Sequence, residues 1–337
     1  MSTIDPKESR KWRFDAEHKV WRKQYHARRY LEHLKLEELV VRAEDVLTNS
    51  LTLNRELKIG LYPADKEAGY WGELFTHILE ECVLRNIHYR QFMAKVDRTI
   101  VPKYDWPGLE NAVDVIKKTR LETGNFLLKY GQARYLLPML EKGRIRIAPA
   151  SLYQDPSLNP AIRDFELQLH LYSLASEVSL VRLDKETGEE KGKIHCEGYV
   201  ERTIESPTNY YVYCLANMFS PRMFGDFEGD SCLVIHRPLE FVERLNQTFK
   251  KEVPNWSCQA KLVTYVDPFN AKEFAPEMAF SKHFRYAYQK EYRVVWLPPI
   301  AQNVLNPVFL EVGDMKPYCE LIDLSSLRKA KNRAIVS

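Results

Sequence analysis

The sequence predicts an α+β protein, with an all-helical region over residues 1–120 followed by a mixed or antiparallel-sheet domain over residues 121–337. Three observations carry that expectation. In YWGELFTHILEECVL, the apolar residues Trp71, Leu74, Phe75, Ile78, Leu79 and Cys82 recur at spacings of three and four, the signature of a helix with one buried stripe. After about Gly124 the pattern changes to short runs rich in Val, Ile and Tyr. The connections between those runs are mostly too short for a helical crossover, which favours antiparallel over doubly wound pairing.

Taken in order, Arg10 to Leu47 reads as one long helix. NSLTLNRELKIGLYPADKEAG, with Gly60, Pro63 and Gly69, reads as a loop. PKYDWPG (Pro102 to Gly108) breaks the chain before a helix from Leu109 to Leu121. NFLLKY and RIRIAP read as strands around a brief helix that ends at Lys142-Gly143, where glycine suits a left-handed C-terminal position; Pro138 shortens that helix or sits in its first turn. EVSLVRLD and KIHCEGYVERTIE form a hairpin across the turn-rich KETGEEKG. TNYYVYCLA, DSCLVIH, AKLVTYV, EYRVVWLP and PVFLEV supply five further strands, with helices at about Ala161 to Ala175 and Leu239 to Lys251.

Composition narrows the classes. Hydrophobic residues make up 45% and charged residues 28% of 337, ordinary for a globular chain. A formal charge of +3 gives no case for bulk nucleic-acid binding. The six cysteines are scattered without a CxxC pair, against a zinc site or a disulfide framework. The N-terminal MSTIDPKESRKWRF lacks the apolar core of a signal peptide, and no apolar stretch is long enough to cross a bilayer, so a cytoplasmic location is expected. GxxxxGK and GxGxxG are both missing, against a P-loop or dinucleotide fold.

The residue of greatest interest is Glu291, in SKHFRYAYQKEYRVVWLP. Read as a strand, the segment places Glu291 and Arg293 on one face and Tyr292, Val294 and Trp296 on the other. A carboxylate in such a strand is costly without a partner or a task; the plain alternative is a surface acid paired with Arg293 or Lys290. A second cluster, RIRIAPASLYQDPSLNPAIRDFEL, runs from a strand into a polar loop with Ser151, Tyr153, Gln154, Asp155, Asn159, Arg163, Asp164 and Glu166. Such a loop suits ligand binding, although Asp155-Pro156 and Asn159-Pro160 are also ordinary turn chemistry. A third, VYCLANMFSPRMFGDFEGDSCLVIH, holds Ser220, Arg222, Asp226 and Asp230; Ser220 alternatively caps a short helix that has Pro221 at its first position.

These blocks together, LLKY, then YLLPMLEKGRIRIAPASLYQDP, then CLANMFS, then a late EYR, resemble a bacterial domain-of-unknown-function family that is itself similar to the ADP-ribosyltransferase fold, over roughly residues 126–298. The chain departs from the family pattern where FNDPFE is LYQDPSLN, where a W-S-H-Y element is SPRMFGDFEGD, and where the first acid of E-x-E-Y-R is Gln289. The resemblance implies an NAD-dependent ADP-ribosyltransferase or NAD glycohydrolase of a bacterial toxin or defence type, with NAD as substrate. It implies that Glu291 holds the ribose 2′-hydroxyl, that Lys129 and Tyr130 contact the ribose or pyrophosphate, and that Ser151 and Tyr153 flank the nicotinamide. Arg134, Arg144 and Arg163 are its candidate diphosphate partners, with Asn159 and Ser220 as further contacts.

Two other classes stay open at this stage. One is a non-catalytic nucleotide- or partner-binding module on the same fold, which Gln289 and the altered second loop favour. The other is a Mg²⁺-dependent nucleic-acid-processing enzyme using Asp155, Asp164, Asp226, Asp230 or Glu291. The basic N-terminal helix, with Trp12, Trp21, Tyr25 and Tyr30 among Arg10, Lys11, Arg13, Arg22, Lys23, Arg28 and Arg29, is a candidate nucleic-acid or protein contact or a homodimer surface, against the plainer reading of core aromatics and solvating charges. His18, His26 and His33 share a face, but neighbours two turns apart stand about 11 Å from each other, too far to hold one metal ion.

Overall fold

The computed structural model describes residues 6–54, 56–61, 66–97, 113, 115–116, 121, 125–271 and 276–324, with side chains from residue 17 onward in the first helix and residue 69 onward in the third. The expected break at 102–108 and nearly all of the helix expected over 109–121 lie outside the described residues.

The N-terminal part is helical, with two differences from expectation. The single helix expected from Arg10 to Leu47 is two, α1 (Pro6–Ala27) and α2 (Leu36–Ser50). Between them Arg85 bonds the carbonyls of Leu31, Glu32 and Leu34, satisfying backbone groups that a continuous helix would have paired internally. The expected loop after α2 contains a small hairpin, β1 (Leu51–Leu53) with β2 (Ile59–Leu61), closed by Leu57 in the left-handed region at φ 58°. Helix α3 (Lys66–Leu84) buries Trp71, Leu74, Ile78 and Cys82 against Tyr25, Tyr30, Leu39 and Val46, as its spacing predicts. A short α4 (Tyr89–Met93) follows.

The rest of the chain is organised by one eight-stranded antiparallel sheet. Strand β3 (Leu127–Gly131) leads into α5 (Ala133–Lys142), and Gly143, at φ 65°, turns the chain into β4 (Arg144–Pro149). A side chain on Gly143 would collide with the backbone of Gly313, so glycine is required there for space as well as conformation. Pro138 lies within this ten-residue helix and does not shorten it. Strands β5 (Gln168–Leu174) and β8 (Tyr199–Glu205) pair with each other, as do β6 (Leu180–Leu183) and β7 (Glu190–Ile194). The helix expected over Ala161 to Ala175 is therefore a turn followed by β5. In QLHLYSL, Leu169 and Leu171 point to one side, and pairing with β8 outweighs any local helical preference.

Strand β9 (Tyr211–Ala216) is followed by a single helical turn α6 (Arg222–Asp226), β10 (Ser231–Ile235) and α7 (Pro238–Glu252). Then come β11 (Ser257–Leu262), β12 (Thr264–Val266), β13 (Ser281–His283), a 3-10 segment (Phe284–Gln289), β14 (Glu291–Leu297), β15 (Val308–Glu311) and β16 (Cys319–Asp323). The sheet runs β11-β14-β9-β3-β10-β16, with β15 and β4 branching off β9. On one face Tyr213, Val294 and Trp296 pack under α5 and α7; on the other Val212 and Val295 pack against Ala279 and Phe280.

The branch at β9 is what makes room for a site. One edge of β9 is shared: Tyr211 and Val212 pair with Pro149 and Ala148 of β4, while Ala216 pairs with Leu128 of β3. Two strands that diverge over a common neighbour leave a wedge between them. At its centre Lys129 Nζ donates to the Cys214 carbonyl at 2.8 Å.

Candidate functional site

Lys129 and Cys214 also line a cavity of about 320 Å³, at the small end of the range typical of ligand sites. Four of the residues expected to contact NAD line it: Lys129 and Tyr130 from β3, Tyr153 from the 3-10 turn after β4, and Glu291 at the start of β14. The three distant stretches that carry them thus meet at one place. Gln132, Tyr135, Glu166, Lys282 and Gln289 complete the polar lining.

Glu291 is neither exposed nor paired with Lys290. It is 4% exposed and sits in a buried cluster of charges. Arg293 Nε donates to its Oε1 at 2.7 Å and Lys282 Nζ to its Oε2 at 2.9 Å. Arg293, fully buried, also donates through Nη2 to Glu166 Oε1 at 2.7 Å, and its Nη1 lies 2.7 Å from Glu166 Oε2. Lys282 stands 3.8 Å from Asp164 and donates to Gln289 Oε1 at 3.2 Å. Three carboxylates therefore share two cations. Burial disfavours the charge on Glu291, yet Arg293 and Lys282 outweigh it and hold this carboxyl well below the usual range. Burial dominates at Glu166, where Asp164 and Glu291 add repulsion; its carboxyl is pushed up to about 7 despite Arg293. Lys129, desolvated in the wedge, is held below the ordinary lysine range although Glu291 pulls the other way.

The cluster is rigidly mounted. Alternation along β14 puts Glu291, Arg293 and Val295 on one face, as the sequence reading required. The Tyr265 hydroxyl accepts from the Glu291 amide at 2.8 Å, and Gln289 Nε2 donates to the Ala161 carbonyl at 2.7 Å. Tyr130 accepts through its hydroxyl from the Ser220 amide at 2.9 Å and packs among Phe219, Phe224 and Phe227.

The other expected contacts lie elsewhere. Ser151 is engaged by Asn209, to whose amide its hydroxyl is an acceptor at 2.8 Å. Asn159 caps its own turn by accepting from the Ala161 amide. Arg134 is exposed and lies over the Tyr135 ring, and Arg144 is exposed beside Glu311. Arg163 is exposed, and its carbonyl accepts from Tyr286. Ser220 contributes a backbone amide only, and Pro221 takes the capping position before α6. None of these six residues lines the cavity. Glu166 and Lys282 do; sequence reasoning placed Glu166 in the polar loop suited to a ligand without giving it a role, and did not single out Lys282.

Of the acids considered for a metal, Asp164 and Glu291 share Lys282 and the other three are engaged elsewhere. Asp226 pairs with Arg222, Asp230 accepts from the Ala133 amide, and Asp155 caps an exposed turn. No group of three His, Cys, Asp or Glu side chains that could hold a metal ion occurs among the described residues. In the N-terminal region Tyr25 and Tyr30 are core residues, while Arg22, Arg28 and Arg29 pair with Glu80, Glu177 and Glu81. Trp12 and the basic residues beside it lie outside the described side chains. No described helix is long and apolar enough to cross a membrane.

Comparison with known proteins returns no matching family model, no similar curated protein and no similar solved structure.

Proposed function

We propose that the cavity takes the nicotinamide riboside half of NAD and cleaves its glycosidic bond, passing ADP-ribose to water or to an acceptor. The observation that carries this reading is the convergence of Lys129, Tyr130, Tyr153 and Glu291 on one cavity. Leaving of nicotinamide turns the ribose into an oxocarbenium-like cation. A fixed carboxylate that accepts from the 2′-hydroxyl stabilises that charge as it develops. Arg293 and Lys282 keep Glu291 ionised and oriented, and each of its oxygens retains a lone pair for a hydroxyl. Tyr130 and Tyr153 offer faces for the nicotinamide ring, and Lys129 a donor for the nearer phosphate.

One observation favours a binding module without turnover: both Glu291 oxygens already accept from cations, and Gln289, also bound to Lys282, supplies no second acid. Nicotinamide release separates the two. The native chain is expected to liberate nicotinamide from NAD, and Glu291→Gln to lose that activity by about a hundredfold or more. That substitution leaves two acids facing two cations, so the melting temperature should change little. NAD binding without release would establish the binding module; absence of both binding and release would end the NAD reading.

A further inference from the structure

The walls of the cavity are held from outside the sheet, by the last turn of α2. Asn49, 1% exposed, uses its whole amide. The two hydrogens of its Nδ2 are shared among the carbonyls of Asp45, Phe284 and Arg285, at 2.8, 3.1 and 3.1 Å, and its Oδ1 accepts from the Tyr288 amide at 2.7 Å. Three of those four bonds are to the 3-10 segment whose last residue, Gln289, lines the cavity and binds Lys282. The end of α2 and the first residue of β1 also hold α6. Arg222 Nη1 donates to the Leu51 carbonyl at 2.8 Å and to the Thr48 carbonyl, and its guanidinium lies 3.9 Å from the centre of the Tyr288 ring. Met223 and Phe227, in and just after α6, line the cavity from that side.

We infer that Asn49 is a positioning residue for the cavity, so that the helical N-terminal region completes the site. A buried amide that bonds three carbonyls and one amide fixes a short 3-10 stretch, which lacks the bonds of a full helix. If that stretch shifts, Gln289 releases Lys282 or carries it along, and the Lys282–Glu291 geometry shifts with it. The inference rests on the NAD reading only for its choice of ligand.

The test therefore uses two readouts on the full-length chain, NAD affinity and the alkylation rate of Cys214, a cavity-lining thiol followed by peptide mass spectrometry with Cys258 as internal reference. Asn49→Ala is compared with Tyr25→Phe, which removes a buried hydrogen bond to Glu81, between α1 and α3. Both are measured well below their melting temperatures. Asn49→Ala should weaken NAD binding about tenfold or more and speed Cys214 alkylation by a similar factor, leaving Cys258 unchanged. Tyr25→Phe should lower the melting temperature and alter neither readout. An Asn49→Ala protein with native Cys214 reactivity overturns the inference, as does a Tyr25→Phe protein that matches Asn49→Ala in both readouts. If the native chain binds no NAD, the functional reading fails by itself and the Cys214 rate alone decides the role of Asn49.

Discussion

Two buried ionic groups differ in a way that separates scaffold from site. Where α2 meets the segment after β12, Arg42 and Asp267 form a closed pair. Nη1 and Nη2 donate to the two carboxylate oxygens at 2.9 and 2.7 Å, and Asn270 and the Phe269 amide donate to the same carboxylate. Aromatic rings of Tyr30, Phe269 and Phe284 surround the guanidinium. One acid meets one base, and Asp267 is held below the usual carboxylate range once Arg42 offsets its burial. The cluster at Glu291 is as deeply buried but unequal, with Asp164, Glu166 and Glu291 against Lys282 and Arg293, and it opens into a cavity. Burial of charge alone marks neither function nor stability. Unequal charge at a cavity wall is the more informative sign, since strongly perturbed titratable groups gather at functional sites.

The widest contrast should come from Asp267→Ala. It strands Arg42 among aromatic rings and is expected to cost about 3–5 kcal/mol, read as a large fall in the denaturation midpoint. Against this, Glu291→Gln should be nearly neutral in stability while abolishing turnover. If the two substitutions destabilise equally, the distinction between a structural pair and a functional cluster disappears.

A smaller effect should separate the two groups by pH. Glu166 has a folded value near 7 against an ordinary 4.5, so the folded state binds the extra proton between those values. Its contribution is therefore present at low pH and declines as pH rises from about 4.5 to about 7. Asp45, pushed up to about 6 by burial, acts in the same direction. His77, held down to about 4 by burial, acts oppositely: its contribution is lost as pH falls from 6.5 toward 4. His283, held down to about 3 by burial, acts with His77, so Glu166→Gln should leave a stability that rises with pH through this window more steeply than that of the native chain. Chemical denaturation at several pH values measures the slope, and an unchanged slope would show that Glu166 stays ionised beside Arg293.

The strands around the site were legible because their residues alternate or run apolar between turn signals, as in RIRIAP, which forms β4 from Arg144 to Pro149. Glu291 was legible for a related reason, since a carboxylate among Tyr, Val and Trp conflicts with its surroundings. Its surroundings were not. Glu166 joins the cluster through Arg293, 127 residues away in sequence, and Lys282, although only nine residues before Glu291, stands in SKHFRY, where a lysine carries no local sign of burial. Strand β5 was misread as a helix because QLHLYSL acquires its conformation from β8, about thirty residues later. β16 was missed: CELID is short and part polar, and becomes a strand by pairing with β10. Arginines were overcounted for a different reason. Sequence shows which residues are able to bind phosphate, but not which face of a strand or helix reaches the ligand.

Arg144 gives the smallest expected effect and a useful one. It begins β4, beyond the wedge, and its guanidinium donates to Glu311 across the β4–β15 pair at 2.8 Å with both side chains more than half exposed. An exposed pair of this kind contributes less than about 1 kcal/mol, so Arg144→Ala should move the melting temperature slightly and leave NAD affinity unchanged. Lys129→Ala, by contrast, removes a cavity-lining amine from the wedge itself. If Arg144→Ala weakened NAD binding as strongly as Lys129→Ala, the ligand would have to extend over the outer edge of β4. The site would then be an open groove along β4 and not the wedge between β3 and β4.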